Sequence, residues 1–142
     1  MINPKLFLKA LKNSNINFIT GVPDSLLKDI CAYISKNLSS TQHIIATNEG
    51  SAIGLAIGNY LATNEVPLVY MQNSGLGNII NPLTSLADPK VYGIPIILMI
   101  GWRGEIDNNG FQISDEPQHK KQGEITLKQL EILEIPYKII DS

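Results

Sequence analysis

The sequence predicts a doubly wound α/β domain, with a mainly parallel sheet and helices on both faces. Two observations carry this expectation. Strand-like and helix-like patterns alternate with hardly a break, and residues 67–71 and 94–100 are apolar on successive positions rather than every second one. Continuous apolar runs mark strands covered on both faces, the situation of a parallel sheet sandwiched by helices. Asn3-Pro4 opens a first helix to about residue 13, because Asn can cap and Pro tolerates the first helical position. Residues 18–20 read as a short strand closed by Gly21-Val22-Pro23. Asp24 can then cap a helix with Leu26, Leu27, Ile30, Cys31 and Ile34 on one face. A buried strand at 44–46 hands over to a helix from Glu49 to about Leu61.

That helix carries Gly54 and Gly58, each costing roughly 1 kcal/mol relative to Ala, so a close backbone approach by the sheet or a partner subunit is expected there. The strand at 67–71 leads through the polar turn 72–78 into a helix reaching about Asp88. The strand at 94–100, expected to be fully buried, precedes a long polar segment, 101–123. A short helix near 126–133 and a last strand at 137–140 complete the pattern. Loops as long as 101–123 are uncommon in compact domains unless they have a function, and this one holds the only Trp, the only Arg and one of two His residues.

With 142 residues, 44% of them apolar and 17% charged, the chain fits one domain with a real core. A formal charge of -2 without a basic stripe argues against nucleic acid or an anionic membrane surface as partner. No run is long enough to span a bilayer, and the start lacks the layout of a secretory signal, so a cytoplasmic location is expected. Cys31 is alone, which excludes an internal disulfide and a thiolate metal cage. His43 and His119 lack ligand-spaced neighbours, Gly75-Leu76-Gly77 lacks the third glycine of a dinucleotide loop, and Ser51 does not sit in a Gly-x-Ser-x-Gly elbow.

What stands out is that three successive strand ends carry polar groups: Asp24-Ser25, Asn48-Glu49 and Gln72-Asn73-Ser74-Gly75. In a parallel sheet those ends share one rim, where ligands of α/β proteins bind. Glu49, Asp24 and the 72–78 turn each also have a plain structural reading, as a charge complementing a helix dipole, a cap, and helix-entry chemistry.

The order Gly-Val-Pro-Asp-Ser (21–25), Asn-Glu-Gly-Ser-Ala-Ile-Gly (48–54) and Gln-Asn-Ser-Gly-Leu-Gly-Asn (72–78) resembles the pyrimidine-binding domain of thiamine diphosphate-dependent 2-oxo acid decarboxylases. Trp102-Arg103-Gly104-Glu105 and Asp115-Glu116-Pro117-Gln118-His119, followed by Gln122-Gly123 and Thr126, draw the resemblance toward the phosphonopyruvate decarboxylases. The sulfopyruvate decarboxylases are their near relatives.

The resemblance implies that Glu49 hydrogen-bonds the ring nitrogen of the cofactor's aminopyrimidine, with Asn73, Ser74 and Gly75 beside that ring. It makes Asp24 and Ser25 candidates for proton transfer or substrate carboxylate contact. Arg103, His119 and Lys120, with Lys121 beside them, are the available cations for the acidic tail of a 2-oxo acid such as 3-phosphonopyruvate.

These enzymes hold the diphosphate through Mg2+, using a Gly-Asp-Gly and paired-Asn module. Asn108-Asn109 echoes it, but no Gly-Asp-Gly precedes them. Residues 1–142 are therefore expected to form a single pyrimidine-binding domain, with the diphosphate and metal supplied by a missing domain or subunit. A homo- or hetero-oligomer follows, with the isolated chain inactive. The alternative of another class is a non-catalytic assembly or regulatory domain.

Overall fold

The computed structural model describes residues 2–107 and 109–140. Helix α1 (Pro4–Asn13) is capped by Asn3, whose side chain accepts from the amides of Lys5 and Leu6. It is followed by β1 (Ile19–Gly21), α2 (Lys28–Asn37), β2 (His43–Ile45), α3 (Glu49–Thr63) and β3 (Leu68–Gln72). A single 3-10 turn, Asn73–Gly75, leads into α4 (Leu76–Pro82), which runs on as a wider turn, Leu83–Ala87, before β4 (Ile97–Gly101) and α5 (Pro117–Ile132).

All strand pairs are parallel, in the order β2-β1-β3-β4. The alternation along β3 shows how both faces are used. Leu68 and Tyr70 pack with Leu8, Leu11, Ile30 and Ile34 of α1 and α2. Val69 and Met71 pack with Ile53 and Ala56 of α3, Ile79 of α4 and Leu130 of α5. The doubly wound parallel architecture expected from the sequence is present.

The edges of that sheet depart from expectation. Ile45 of β2 is 57% exposed and Ile97 of β4 is 40% exposed, although both runs read as buried strands. Each has a neighbour on one side only, and apolar composition cannot tell an edge from a centre. The strand expected at 137–140 is absent: Tyr137, Ile139 and Ile140 are exposed and unpaired with the sheet.

Leu26 is also exposed rather than on the core face, because α2 begins only at Lys28. Gly54 and Gly58 look outward with nothing within 4 Å of the place a Cβ would occupy, so the sheet is not what requires them. Among the described residues no helix is long and apolar enough to cross a membrane.

Part of the long polar segment is helical. Pro117 occupies the first turn of α5, so its fixed φ starts the helix nine residues before the predicted point. Its Gly123 lies against the backbone carbonyl of Gly104, where a Cβ would collide with main chain rather than a flexible side chain. The Trp102 indole donates to the Gly123 carbonyl at 3.0 Å, closing the same seam. Gly123→Ala should therefore destabilise the fold by about 1–3 kcal/mol, as overpacking does. Urea unfolding monitored at Trp102 checks this.

Candidate functional site

Strand order sets the position of the site. The chain passes from β1 to β2 on one side and returns to β3 on the other, so the carboxyl ends of β1 and β3 flank a crevice where connections diverge. The loops that follow β1, β2, β3 and β4 all open on this rim.

Glu49 is the first residue of α3, with Asn48 as cap accepting from the Ser51 amide at 2.9 Å. The carboxylate thus sits at a helix N-terminus, as its plain structural reading requires. Its side chain also lies across the Asn73–Gly75 turn. A Cβ on residue 75 would stand 2.5 Å from Cγ of Glu49 and 2.7 Å from its Oε1, so only glycine leaves room. Asn78 Nδ2 donates to Glu49 Oε2 at 2.7 Å. Oε1 makes no hydrogen bond among the described residues. The residue is half-buried rather than buried, its free oxygen held at the rim.

Asp24 was expected to cap a helix, and instead it closes the turn before it. Its Oδ2 accepts from the Leu26 amide at 3.1 Å, while Leu27, the residue before α2, offers no side-chain cap. It is 6% exposed, fits because Gly101 at the end of β4 has no side chain, and leaves Oδ1 buried without a partner. Burial pushes its carboxyl above the ordinary value, opposed by amides of Leu26, Ser25 and Leu27 and by the nearby Arg103 charge.

Arg103 organises the neighbouring loop. Its Nε and Nη2 donate to both oxygens of Asp115, at 2.8 and 2.5 Å, and Nη1 donates to Ser25 Oγ at 2.8 Å. The bidentate guanidinium holds the Asp115 carboxyl well below the usual carboxylate range. Asp115 accepts as well from the amides of Gly104 and Glu116, which ties the loop end to its beginning. Of the five guanidinium N–H groups three are used, leaving one on each terminal nitrogen.

Asn73 has no solvent exposure and its amide is committed to Arg103 and Thr126, so its side chain does not face a ligand directly. Ser74 is exposed and accepts from Gln72 Nε2 at 2.8 Å. Neither His119 nor Lys120 joins the Arg103 cluster through its side chain. Helix α5 directs the backbone there instead, the Lys120 carbonyl accepting from Gln112 Nε2 at 2.6 Å. Lys121 pairs with Glu124 at 3.0 Å. Asn108 lies outside the described residues, and the Asn109 amide merely closes a turn on Asp107. Among the described residues no three acidic, His or Cys side chains converge on a metal position.

The structure therefore joins Glu49 to Gly75 on one side, and Asp24, Ser25 and Arg103 on the other. Sequence reading quoted Asn78, Asp115 and Thr126 as motif positions but gave them no role; in the structure they hold these groups. For Asp115 the signal was there, since the only Arg in the chain calls for a planar carboxylate partner nearby.

Over residues 4–132 the chain matches the family described as thiamine pyrophosphate enzyme, N-terminal TPP binding domain. It is 41% identical over 129 residues to sulfopyruvate decarboxylase subunit alpha of Methanococcus maripaludis, covering 91% of this chain and 71% of that one. The corresponding subunit of Methanocaldococcus jannaschii is 39% identical, with 89% and 69% covered. Phosphonopyruvate decarboxylase of Streptomyces viridochromogenes is 32% identical, covering 99% of this chain but 33% of the relative. A solved chain described as a thiamin diphosphate-dependent enzyme from Mycobacterium smegmatis superimposes with a TM-score of 0.57 at 20% identity, over 75% of this chain and 19% of that one, and shares its fold.

The Asp24 geometry has a consequence for stability. With its carboxyl raised in the folded state, protonation favours folding at acid pH, and that contribution is lost as pH rises through the folded value. Asp24→Asn should raise Tm at neutral pH, and the gain should vanish below about pH 4, where the carboxyl is protonated in both states. Calorimetric scans across pH check both halves.

Proposed function

Because the chain belongs to the thiamine pyrophosphate enzyme N-terminal domain family, we propose that it is the pyrimidine-binding subunit of a 2-oxo acid decarboxylase acting on 3-sulfopyruvate. The products would be sulfoacetaldehyde and carbon dioxide. The observation that carries the reading is the Glu49 carboxylate at the β2–α3 junction, pinned by Asn78 over Gly75 with one oxygen left free. The sulfonate is preferred to the phosphonate of the first sequence reading for two reasons. Two relatives named sulfopyruvate decarboxylase subunit alpha, at 41% and 39%, exceed the phosphonopyruvate decarboxylases at 32% and 34%, and the match spans about 70% of their length.

These residues fit an aminopyrimidine. Glu49 Oε1 would share a proton with its ring nitrogen, and the bare backbone at Gly75 leaves room for the Glu49 side chain to lie at that position. When bound, thiamine diphosphate supplies the electron sink that takes up the pair released with carbon dioxide. Asp24, held largely out of water, can keep or release a proton next to the reacting carbon. Ser25 and the two unused N–H groups of Arg103 offer fixed donors to the carboxylate or the acidic tail of the substrate. With Asp115 neutralising the guanidinium, this cluster recognises by geometry more than by net charge. His119 and Lys120 are weaker candidates for that tail, having no link to the cluster.

A partner that would hold the diphosphate together with Mg2+ completes the proposal. The names of the two Methanococcus and Methanocaldococcus relatives, each a subunit alpha, support a second kind of chain. The paired-Asn and Gly-Asp-Gly module absent from this sequence would belong to that partner, and the two chains would assemble as a hetero-oligomer.

Co-expression with the diphosphate-binding subunit, followed by paired assays on 3-sulfopyruvate and 3-phosphonopyruvate, tests the assignment. A higher kcat/KM on the sulfonate is expected; a preference for the phosphonate would return the reading to phosphonopyruvate decarboxylase, and turnover of neither would leave a regulatory domain. In the active assembly Glu49→Gln should lower kcat by about 10²–10⁴-fold, the span of a lost general acid–base contribution, with Tm unchanged. Near-normal turnover in that variant would remove Glu49 from its role.

A further inference from the structure

Asn73 is a fully buried polar residue whose burial needs a reason. An apolar side chain of similar size would fill the same space without a polar desolvation cost. Its hydrogen bonds show what the amide achieves. Oδ1 accepts from the Arg103 amide at 3.3 Å, and Nδ2 donates to the Arg103 carbonyl at 2.9 Å. Two opposed bonds to one residue reproduce the hydrogen-bonded pair of an antiparallel ladder. Strands β3 and β4 pair from Leu68↔Ile97 to Gln72↔Gly101, and the Asn73 side chain adds a further tie where the main-chain ladder has stopped.

The orientation of the amide is set from a third direction. Thr126 Oγ1 donates to the Gln122 carbonyl at 2.6 Å, so its proton is engaged and it can only accept from Asn73 Nδ2, at 2.8 Å. Helix α5 therefore fixes which end of the amide faces Arg103. Beyond this tie the chain turns sharply at Gly104, with φ +64°, and the guanidinium reaches back to Asp115 and Ser25. The far end of the same three-residue turn, Gly75, is where the Glu49 side chain lies.

We propose that Asn73 is a positioning residue, oriented by Thr126, that fixes Arg103 at a set offset from Glu49 and so aligns the substrate's acidic end with the cofactor ring. This rests on the functional reading above. It replaces direct cofactor contact as the role of Asn73.

The test uses the assembled enzyme with three substitutions. Asn73→Asp keeps shape and the acceptor for the Arg103 amide, and loses both donors; Thr126→Val removes the orienting acceptor; Thr126→Ser keeps it. Asn73→Asp and Thr126→Val should raise KM for 3-sulfopyruvate about 3- to 10-fold, the equivalent of one neutral hydrogen bond, with thiamine diphosphate Kd by calorimetry within about twofold of wild type. Thr126→Ser should restore the wild-type KM.

Amide hydrogen exchange should quicken in residues 102–104 and 24–26 while α3 keeps its protection. Unchanged KM in both folded variants, or KM, cofactor Kd and Tm worsening together, would overturn the proposal, the second by making Asn73 an ordinary strut. If the wild-type assembly does not turn over 3-sulfopyruvate, the functional reading falls and the exchange comparison decides Asn73 alone. Loss of protection confined to those two segments supports it; uniform loss, or none, overturns it.

Discussion

Every strand in this sheet points the same way, and the rest of the structure follows from that constraint. Parallel strands cannot be joined by tight turns, so each connection crosses back over a face and each strand ends on the same rim. The reversal of strand order beside β1 then opens a crevice between two of those ends. Polar groups gather there because the loops have no other side on which to emerge. Glu49, Asp24 and Arg103 come from three separate strand–helix junctions and open on one rim without any of them being near in sequence.

Glycines decide how closely these groups approach one another. Residue 75 must be bare for the Glu49 side chain to cross its turn, and residue 101 must be bare for Asp24 to sit under the end of β4. Both make room for a neighbouring carboxylate and are not sites of unusual φ. The carboxylates differ in their treatment: Glu49 is braced by Asn78 and keeps an oxygen free, Asp24 is buried with an oxygen unpaired, and Asp115 is fully engaged by Arg103. One rim thus holds three acids in three electrostatic states.

The architecture was legible in the sequence because helical and strand periods are physically distinct, and so were Glu49, Asp24 and Arg103, each a polar group just after an apolar run. What was not legible depended on neighbours. The exposure of Ile45 and Ile97 follows from strand order, which no local pattern encodes. The early start of α5 was signalled by Pro117 but masked by the polar residues around it. Asn73 was placed beside the cofactor ring by the resemblance of its motif, yet its partners Arg103 and Thr126 lie 30 and 53 residues away. The outward glycines of α3 were read as sites of close approach by the sheet or a partner subunit, and among the described residues nothing lies within 4 Å of either.

The bonds that build the rim carry a consequence for how the chain acquires it. Arg103 to Ser25 spans 78 residues, Asn73 to Thr126 spans 53, and Asn78 to Glu49 spans 29. Each closes a long loop, whose entropy must be lost before the bond repays it. The longer two are therefore expected to close after the strands, whose pairings span 24 to 49 residues. A nascent chain that has not yet emitted α5 can hold the sheet's first strands together, but the Asn73 amide would still be waiting for the hydroxyl that tells it which way to face.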